Sequence, residues 1–514
     1  MNLMENGTPK KSNKKASSRI MRRNISYLII FSLMSSLIML REFSLERFLG
    51  FFLICALLYS IYYGDIIRYS PKYMREQKLL LLLGILMVGT LASGWLFDYL
   101  TASLSIGLSY LPAETAKYIL PIPAGALLVT LLFDFHTALL FSFITALLTG
   151  VWLSDATITL YFFIGSLIAS FSVIRCKKRS DLLRAGIFVS GINIFSVLIL
   201  LLFSGNIHAD TAVSPIVAAS FSGLGVAAIV SITLPVLEYI FKITTDISLL
   251  ELLDLNQPLM KNLMITAPGT YHHSIIVGNL VEASAEAVGV NPLLARVSAY
   301  YHDIGKIKMP EYFVENQAGS VSKHDKLSPH MSSMILISHV KEGTELGKQY
   351  NLPQIINDII EQHHGTNLIT YFYQKAKNDM GENPSEEEYR YPGPKPQSRV
   401  AALVMLADAV EAASRVLKDP TPSRIEALVD KIINHVFIDG QLDDCELTLK
   451  DLSLIKKHFI YILTGIFHRR IDYPGFDFNS DSKPKLSEGT DNGSRDKRSA
   501  ETGKNRHEKT PERY

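Results

Sequence analysis

A chain of 514 residues is long for one ordinary domain, and 48% hydrophobic residues is more apolar side chain than most water-soluble proteins carry. A net charge of only +2 gives no bulk electrostatic case for nucleic-acid binding, and no nucleic-acid partner is expected. The three cysteines, Cys55, Cys176 and Cys445, are scattered with no CxxC, which excludes a disulfide framework or a zinc–thiolate site as the organising feature.

Composition shifts along the chain. Residues 1–24 are polar and basic, with Lys10, Lys11, Lys14, Lys15, Arg19, Arg22 and Arg23, and read as a disordered positive flank on the cytoplasmic side. Residues 25–241 hold apolar runs at about 25–40, 47–64, 78–97, 116–133, 136–153, 157–174, 184–204 and 212–238. Most approach the roughly 20 residues that cross a bilayer, giving about eight spans. Asp134-Phe135 parts two of them and must be a tight hairpin. Lys/Arg asymmetry agrees with an even count. The N-terminus, the loop with Arg68, Lys72 and Arg75, and the loop from Arg175 to Arg184 share one side. The opposite loops hold Asp98, Glu114, Asp155, His208 and Asp210. Both termini and everything after about Phe241 then face the cytoplasm, and the protein sits in the cell (inner) membrane. Ionisable groups within the spans are sparse (Asp134, His136 and Glu238, all near span ends), which disfavours a transporter. Pro121, Pro123 and Pro235 are expected to kink or end helices.

Residues 242–264 read as a linker helix, capped by Thr245 or Asp246. Residues 265–472 read as nearly all helix. Thr270 is the expected cap of a helix to about Val288. Asn291-Pro292, Ser328-Pro329 and Leu352-Pro353 open three more. Residues 375–398, charged and Pro/Gly-rich, read as a long loop. Helices follow over Arg399–Val416, Pro422–Val436 and Leu449–His468, and the polar tail 473–514 reads as disordered. The fold expected is all-α: a multi-span transmembrane helical domain followed by a cytoplasmic all-helical domain.

The chemistry collects around Tyr301-His302-Asp303-Ile304-Gly305-Lys306. An imidazole beside a carboxylate offers two kinds of ligand, and the carboxylate can bridge two cations. Gly305 would let the backbone turn, and Lys306 adds a cation suited to a phosphate oxygen. His273 lies upstream; His339, His363, His364 and Asp408 lie downstream. These seven candidates suffice for two metals sharing Asp303. Taken singly, Asp408 reads equally as the polar face of an amphipathic helix and His339 as a satisfied core residue; together they argue for one pocket. His324-Asp325, in a polar loop, reads as a decoy or an outer element. His272 points about 100° away from His273 on a helix, so only one of the two is expected to reach a metal. Imidazole and carboxylate donors suit iron, manganese or zinc. Two such ions about 3.5–4 Å apart suit phosphoester hydrolysis, with an oxygenase as the competing chemistry.

The phrases Tyr271-His272-His273-Ser274, Tyr301-His302-Asp303-Ile304-Gly305-Lys306, Ser338-His339-Val340, Glu361-Gln362-His363-His364-Gly365 and Leu406-Ala407-Asp408 resemble the HD-domain phosphohydrolase pattern. Ala267-Pro268-Gly269-Thr270-Tyr271, Tyr391-Pro392-Gly393-Pro394-Lys395-Pro396 and Leu447-Thr448-Leu449-Lys450-Asp451 narrow the resemblance to the seven-transmembrane HD family of cyclic di-AMP phosphodiesterases. That resemblance implies two divalent ions, iron or manganese, and cleavage of cyclic di-AMP to pApA. It implies that His273, His302, Asp303 and Asp408 hold one metal, and that Asp303, His339, His363 and His364 hold the other. Asp303 and Lys306 would be the catalytic pair. Family members usually carry a large extracytoplasmic domain after the first span, whereas only about Arg41 to Arg47 fills that place here. No Gly-Tyr-Pro motif follows His364, which favours the adenine dinucleotide over cyclic di-GMP. A non-catalytic cyclic-dinucleotide receptor is the alternative function, the bilayer is the expected partner, and a homodimer is left open.

Overall fold

The computed structural model describes residues 10–70, 73, 77–107, 113–205, 209–317, 322–380 and 384–467. The first nine residues, Lys72, Arg75, His208 and the 473–514 tail lie outside the described residues, as do the side chains of residues 10–20, Glu114 and Asp210.

Each of the apolar runs is largely helical, the one at about 116–133 being broken at Leu120 and Pro121 between a 3₁₀ turn, Lys117–Ile119, and the helix that starts at Pro123. In order the helices are α1 (Lys10–Met39), α2 (Leu45–Tyr69), α3 (Gln77–Gly107), α4 (Pro123–Leu132), α5 (Phe135–Leu153), α6 (Ala156–Ser172), α7 (Ser180–Ser204) and α8 (Ala209–Phe241). Among the described residues five stretches are long and apolar enough to cross a membrane: Leu45–Tyr69, Gln77–Ser103, Phe135–Leu153, Ser180–Ser204 and Ala212–Phe241. Lys117–Leu132 and Ala156–Ser172 are shorter apolar helices. Helix α1 begins at Lys10, well before residue 25, because the lysines, alanine and arginines of the basic flank are good helix formers. Asp134 makes the hairpin: its carboxylate accepts the Thr137 amide at 2.8 Å and caps α5. Pro123 starts α4 at its first turn, while Pro235 lies inside α8 together with Pro215.

The linker is two helices, α9 (Asp246–Leu253) and α10 (Pro258–Thr266). Thr245 Oγ1 accepts the Ser248 amide at 3.3 Å to cap α9, and Pro258 opens α10 after a turn built on Asp254, so a single helix cannot run through. The soluble helices are α11 (Pro268–Ala287), α12 (Pro292–Tyr301), α13 (Pro329–Gln349), α14 (Gln354–Gln362), α15 (Thr370–Met380), α16 (Arg399–Ser414), α17 (Pro422–Ile438) and α18 (Leu449–Ile466). Asn291, Ser328 and Ser398 cap α12, α13 and α16 through the amides of Leu294, Met331 and Ala401. The expected long loop begins instead as α15. Phe372, Tyr373 and Ala376 bury one face of that helix, and packing outweighs the charged residues beside them. Among the described residues the only strand-like pairing is an isolated bridge between Leu368 and Arg390.

Membrane and soluble helices belong to one compact unit ending at Ile466. Arg179, just ahead of α7, donates to Glu251 of α9 through Nε (2.6 Å) and Nη2 (3.1 Å). The Tyr301 hydroxyl, at the end of α12, donates to the Leu252 carbonyl of α9 at 2.9 Å. Met260, Leu263, Val297, Tyr301, Ile304, Ile356 and Ile360 form a buried core that holds α10, α12 and α14 together. At about 1.5–3 kcal/mol for each buried aliphatic side chain, this core fixes the segment that carries His302 and Asp303.

Candidate metal centre

Asp303 follows α12 directly, and the chain then tightens into a 3₁₀ turn, Ile304–Lys308. Gly305 serves close approach rather than a turn. It has no left-handed φ, but a Cβ there would lie 1.8 Å from the His339 carbonyl oxygen and 2.5 Å from the Gly343 amide. This contact brings the Asp303 turn against α13, where His339 sits. Gly305→Ala is therefore expected to force the two apart, costing about 1–3 kcal/mol of stability together with the bound metal; thermal melts and metal content of the variant check it.

The seven side chains named from sequence meet in one buried pocket. Two groups of four have ligand atoms within 4.8 Å of one another: His273, His302, Asp303 and Asp408, and Asp303, His339, His363 and His364. Asp303 belongs to both. Its Oδ2 lies 3.2 Å from His302 Nε2 and 3.6 Å from His273 Nε2. Its Oδ1 lies 3.3 Å from His339 Nε2 and 3.6 Å from His363 Nε2. Asp408 Oδ1 is 3.0 Å from His273 Nε2, and its Oδ2 is 3.6 Å from His364 Nδ1.

Backbone carbonyls fix the tautomers. Nδ1 of His302, His339 and His363 donates to the carbonyl three residues back: Ala299 at 2.7 Å, Leu336 at 2.5 Å and Ile360 at 2.7 Å. Each ring thus turns an unprotonated Nε2 into the pocket, the form a metal needs. His302 Nε2 and both Asp303 oxygens are buried with no hydrogen-bond partner, although Lys306 Nζ stands 2.7 Å from Asp303 Oδ2. Orphaned buried acceptors are costly unless a cation satisfies them. The donor set fits divalent metal ions.

His273 is fixed differently. Its Nδ1 donates to Glu411 at 2.5 Å, and Glu411 is clamped by Arg415, whose Nη2 is 2.6 Å away. Burial pushes the His273 imidazole down, but Asp408 and Glu411 outweigh it and hold it up at about 10. Burial and the His363 imidazole push His364 well below the usual range, so it is neutral at pH 7. Tyr391 stacks on His364 with ring centres 4.3 Å apart. Lys306 reaches Glu315 Oε1 at 2.8 Å, and Thr270, whose own amide is bound by Asn316, donates its hydroxyl to the same oxygen at 3.1 Å. Thr270 is thus no cap: α11 starts at Pro268, and Thr270 ties down the turn that carries Glu315.

Glu411, Arg415, Glu315 and Tyr391 were missed in the sequence. The first two left a signal: Asp408, Glu411 and Arg415 recur at three- and four-residue spacing along one face of α16 and its C-terminal cap residue. Because Glu411 sets the basicity and direction of His273, Glu411→Gln is expected to weaken metal binding about 10–100-fold without loss of helix, read by chelator competition. His324 belongs to neither group; it donates through Nε2 to the Tyr312 carbonyl at 2.8 Å and packs on Phe372. His272 is exposed, and only its neighbour His273 enters the pocket.

Helices of membrane-crossing length, followed by a helical domain with a shared-carboxylate pocket, define a membrane protein carrying a histidine–aspartate domain. Two family descriptions match: "7TM receptor with intracellular HD hydrolase" over residues 45–245 and "HD domain" over residues 270–413. The first matched stretch holds α2 to α8, leaving α1 ahead of it. The chain is 43% identical over 365 residues to the cyclic-di-AMP phosphodiesterase PgpH of Bacillus subtilis, covering 70% of this chain and 51% of that protein. It is 40% identical over 340 residues to PgpH of Listeria monocytogenes, covering 66% and 47%. The chain thus spans about half the length of the curated relatives it matches. The crystal structure of the L. monocytogenes PgpH HD domain in complex with cyclic-di-AMP is 47% identical, covers 42% of this chain and all of that one, and has a TM-score of 0.40.

Proposed function

We propose that this protein is a membrane-anchored, two-metal phosphodiesterase that opens cyclic di-AMP to linear pApA. The observation that carries it is the shared Asp303: both oxygens are buried, and each faces a different pair of histidines, Oδ2 toward His273 and His302 and Oδ1 toward His339 and His363. His273, His302, Asp303 and Asp408 would hold one ion; Asp303, His339, His363 and His364 would hold the other. Imidazole-rich donors with two carboxylates suit iron, manganese or zinc, and the family resemblance favours iron or manganese. When bound, such a pair supplies Lewis acidity, lowering the pKa of water from roughly 15.7 toward about 7 and neutralising a phosphoryl group.

The chain's own residues do the rest. A cleft of about 340 Å³ opens on the pocket, lined by His273, Lys306, Asp408, Glu411 and Arg415. Lys306 lines it and neutralises a phosphate oxygen, with Asp303 and Glu315 holding it charged and in place. Water adds to phosphorus and one P–O3′ bond breaks, leaving a 5′-phosphate and a free 3′-hydroxyl. The names of the two bacterial relatives support the adenine dinucleotide. The basic loops of the membrane domain support about eight spans with both termini and the catalytic domain in the cytoplasm.

The test is product formation by a 242–472 fragment loaded anaerobically with iron or manganese. It is expected to release pApA from cyclic di-AMP at least about tenfold faster than it opens cyclic di-GMP. Binding of cyclic di-AMP with no product would leave a receptor and end the enzyme reading.

A further inference from the structure

A second cavity, of about 410 Å³, lies where the membrane helices meet the soluble helices. One wall is the end of α8 with Glu238, Tyr239 and Lys242; the other is the turn between α13 and α14, with Lys348 and Gln354. The cavity shares no residue with the metal pocket or with the cleft beside it. Its charge is one-sided. Arg179, Lys242 and Lys348 line it against a single acid, Glu238. Arg179 is already engaged by Glu251 and lies 3.8 Å from Glu238. The side chains of Lys242 and Lys348 are exposed and make no ion pair or hydrogen bond among the described residues. Both chain turns that shape the cavity pass through left-handed residues, Lys242 (φ 52°) and Asn351 (φ 54°), so the lysine backbones are held by helix ends rather than by a loose loop.

The position specifies the ligand further. Tyr239 lines the cavity yet is 82% exposed, and the next residue, Ile240, is 62% exposed. An aromatic side chain with an apolar neighbour at the end of a membrane-length helix marks the level of lipid headgroups. Two lysines line the same cavity beside an arginine, and anionic lipids carry their phosphates at the headgroup level. We infer that this junction cavity binds a phosphate-ester anion, with Lys242 and Lys348 as its ligands. The chemistry is shared by an anionic lipid headgroup and a free phosphate, and the headgroup level of Tyr239 favours the lipid.

The full-length protein in neutral detergent is titrated with short-chain phosphatidylglycerol, with short-chain phosphatidylcholine, and with inorganic phosphate, and binding is followed by calorimetry. Phosphatidylglycerol is expected to bind at least about tenfold more tightly than phosphatidylcholine. The charge reversal Lys242→Glu with Lys348→Glu should remove that preference, whereas Lys242→Arg with Lys348→Arg should keep it. Both lysines are exposed, and the arginine pair controls for folding. Phosphate binding that follows the same lysines while the lipid does not bind would assign the site to a soluble anion. Binding of either probe that is indifferent to charge reversal, or no binding of either, overturns the site.

Discussion

Replacing Asp303 with asparagine is expected to abolish turnover of cyclic di-AMP, by on the order of 10³-fold or more, about 4 kcal/mol of transition-state stabilisation. Among the described residues no other side chain belongs to both groups of four. Asparagine keeps the shape but offers one neutral oxygen where the aspartate offers two anionic ones. It therefore removes the bridge rather than the pocket. The variant should also lose bound metal, while its helix content stays that of the parent because α12 and its core are untouched. Activity and metal content measured on the same preparation check this. A variant that keeps two ions and full turnover would show that Asp303 is merely a buried acid.

Lys306→Met is expected to carry the largest stability cost, about 3–5 kcal/mol in the metal-free domain. The ammonium is only 12% exposed and serves two buried carboxylates, 2.7 Å from Asp303 and 2.8 Å from Glu315. Methionine fills the space and leaves both acids without their cation. Burial pushes Asp303 up, but His302 and Lys306 hold it well below the usual carboxylate range; Glu315 is likewise lowered against its burial by Lys306. Carboxylates depressed in the folded state stabilise it above their unfolded pKa, about 4, and that contribution fades as pH falls further. The chelated parent should therefore lose stability below about pH 4 more steeply than Lys306→Met, as urea denaturation of the 242–472 fragment at several pH values would read. Equal slopes would remove Lys306 as the partner of these acids.

Much of this arrangement is legible in the chain because helix punctuation is local. Asn291-Pro292, Ser328-Pro329 and Ser398 announce helix starts by chemistry that acts within three residues, and they place His302, His339 and Asp408 on helices or at their ends. The His302-Asp303 pair, the His363-His364 doublet and a lone acid in an apolar helix are each visible for the same reason. What escaped depends on contacts between distant segments. Glu315 looks like any acid in a polar loop until Lys306 and Thr270 close on it. Tyr391 reaches His364 only because its loop folds back, with the Tyr391 amide bonded to the Asn367 carbonyl at 3.0 Å. Gly305 looks like a turn residue, and the His339 carbonyl above it belongs to another helix. Helix α15 was hidden by its charges, since its short buried face is visible only once α13 is there to cover it. The apolar runs were easier to see than to count as spans, because length separates Lys117–Leu132 and Ala156–Ser172 from the five longer helices.

The most direct test of the shared-carboxylate centre is metal stoichiometry with magnetic coupling. Protein purified and loaded with iron without oxygen should hold two iron ions per chain, and Mössbauer and EPR spectra should show the pair as spin-coupled through a common bridge. One ion per chain, or two that behave as isolated centres, would contradict the account.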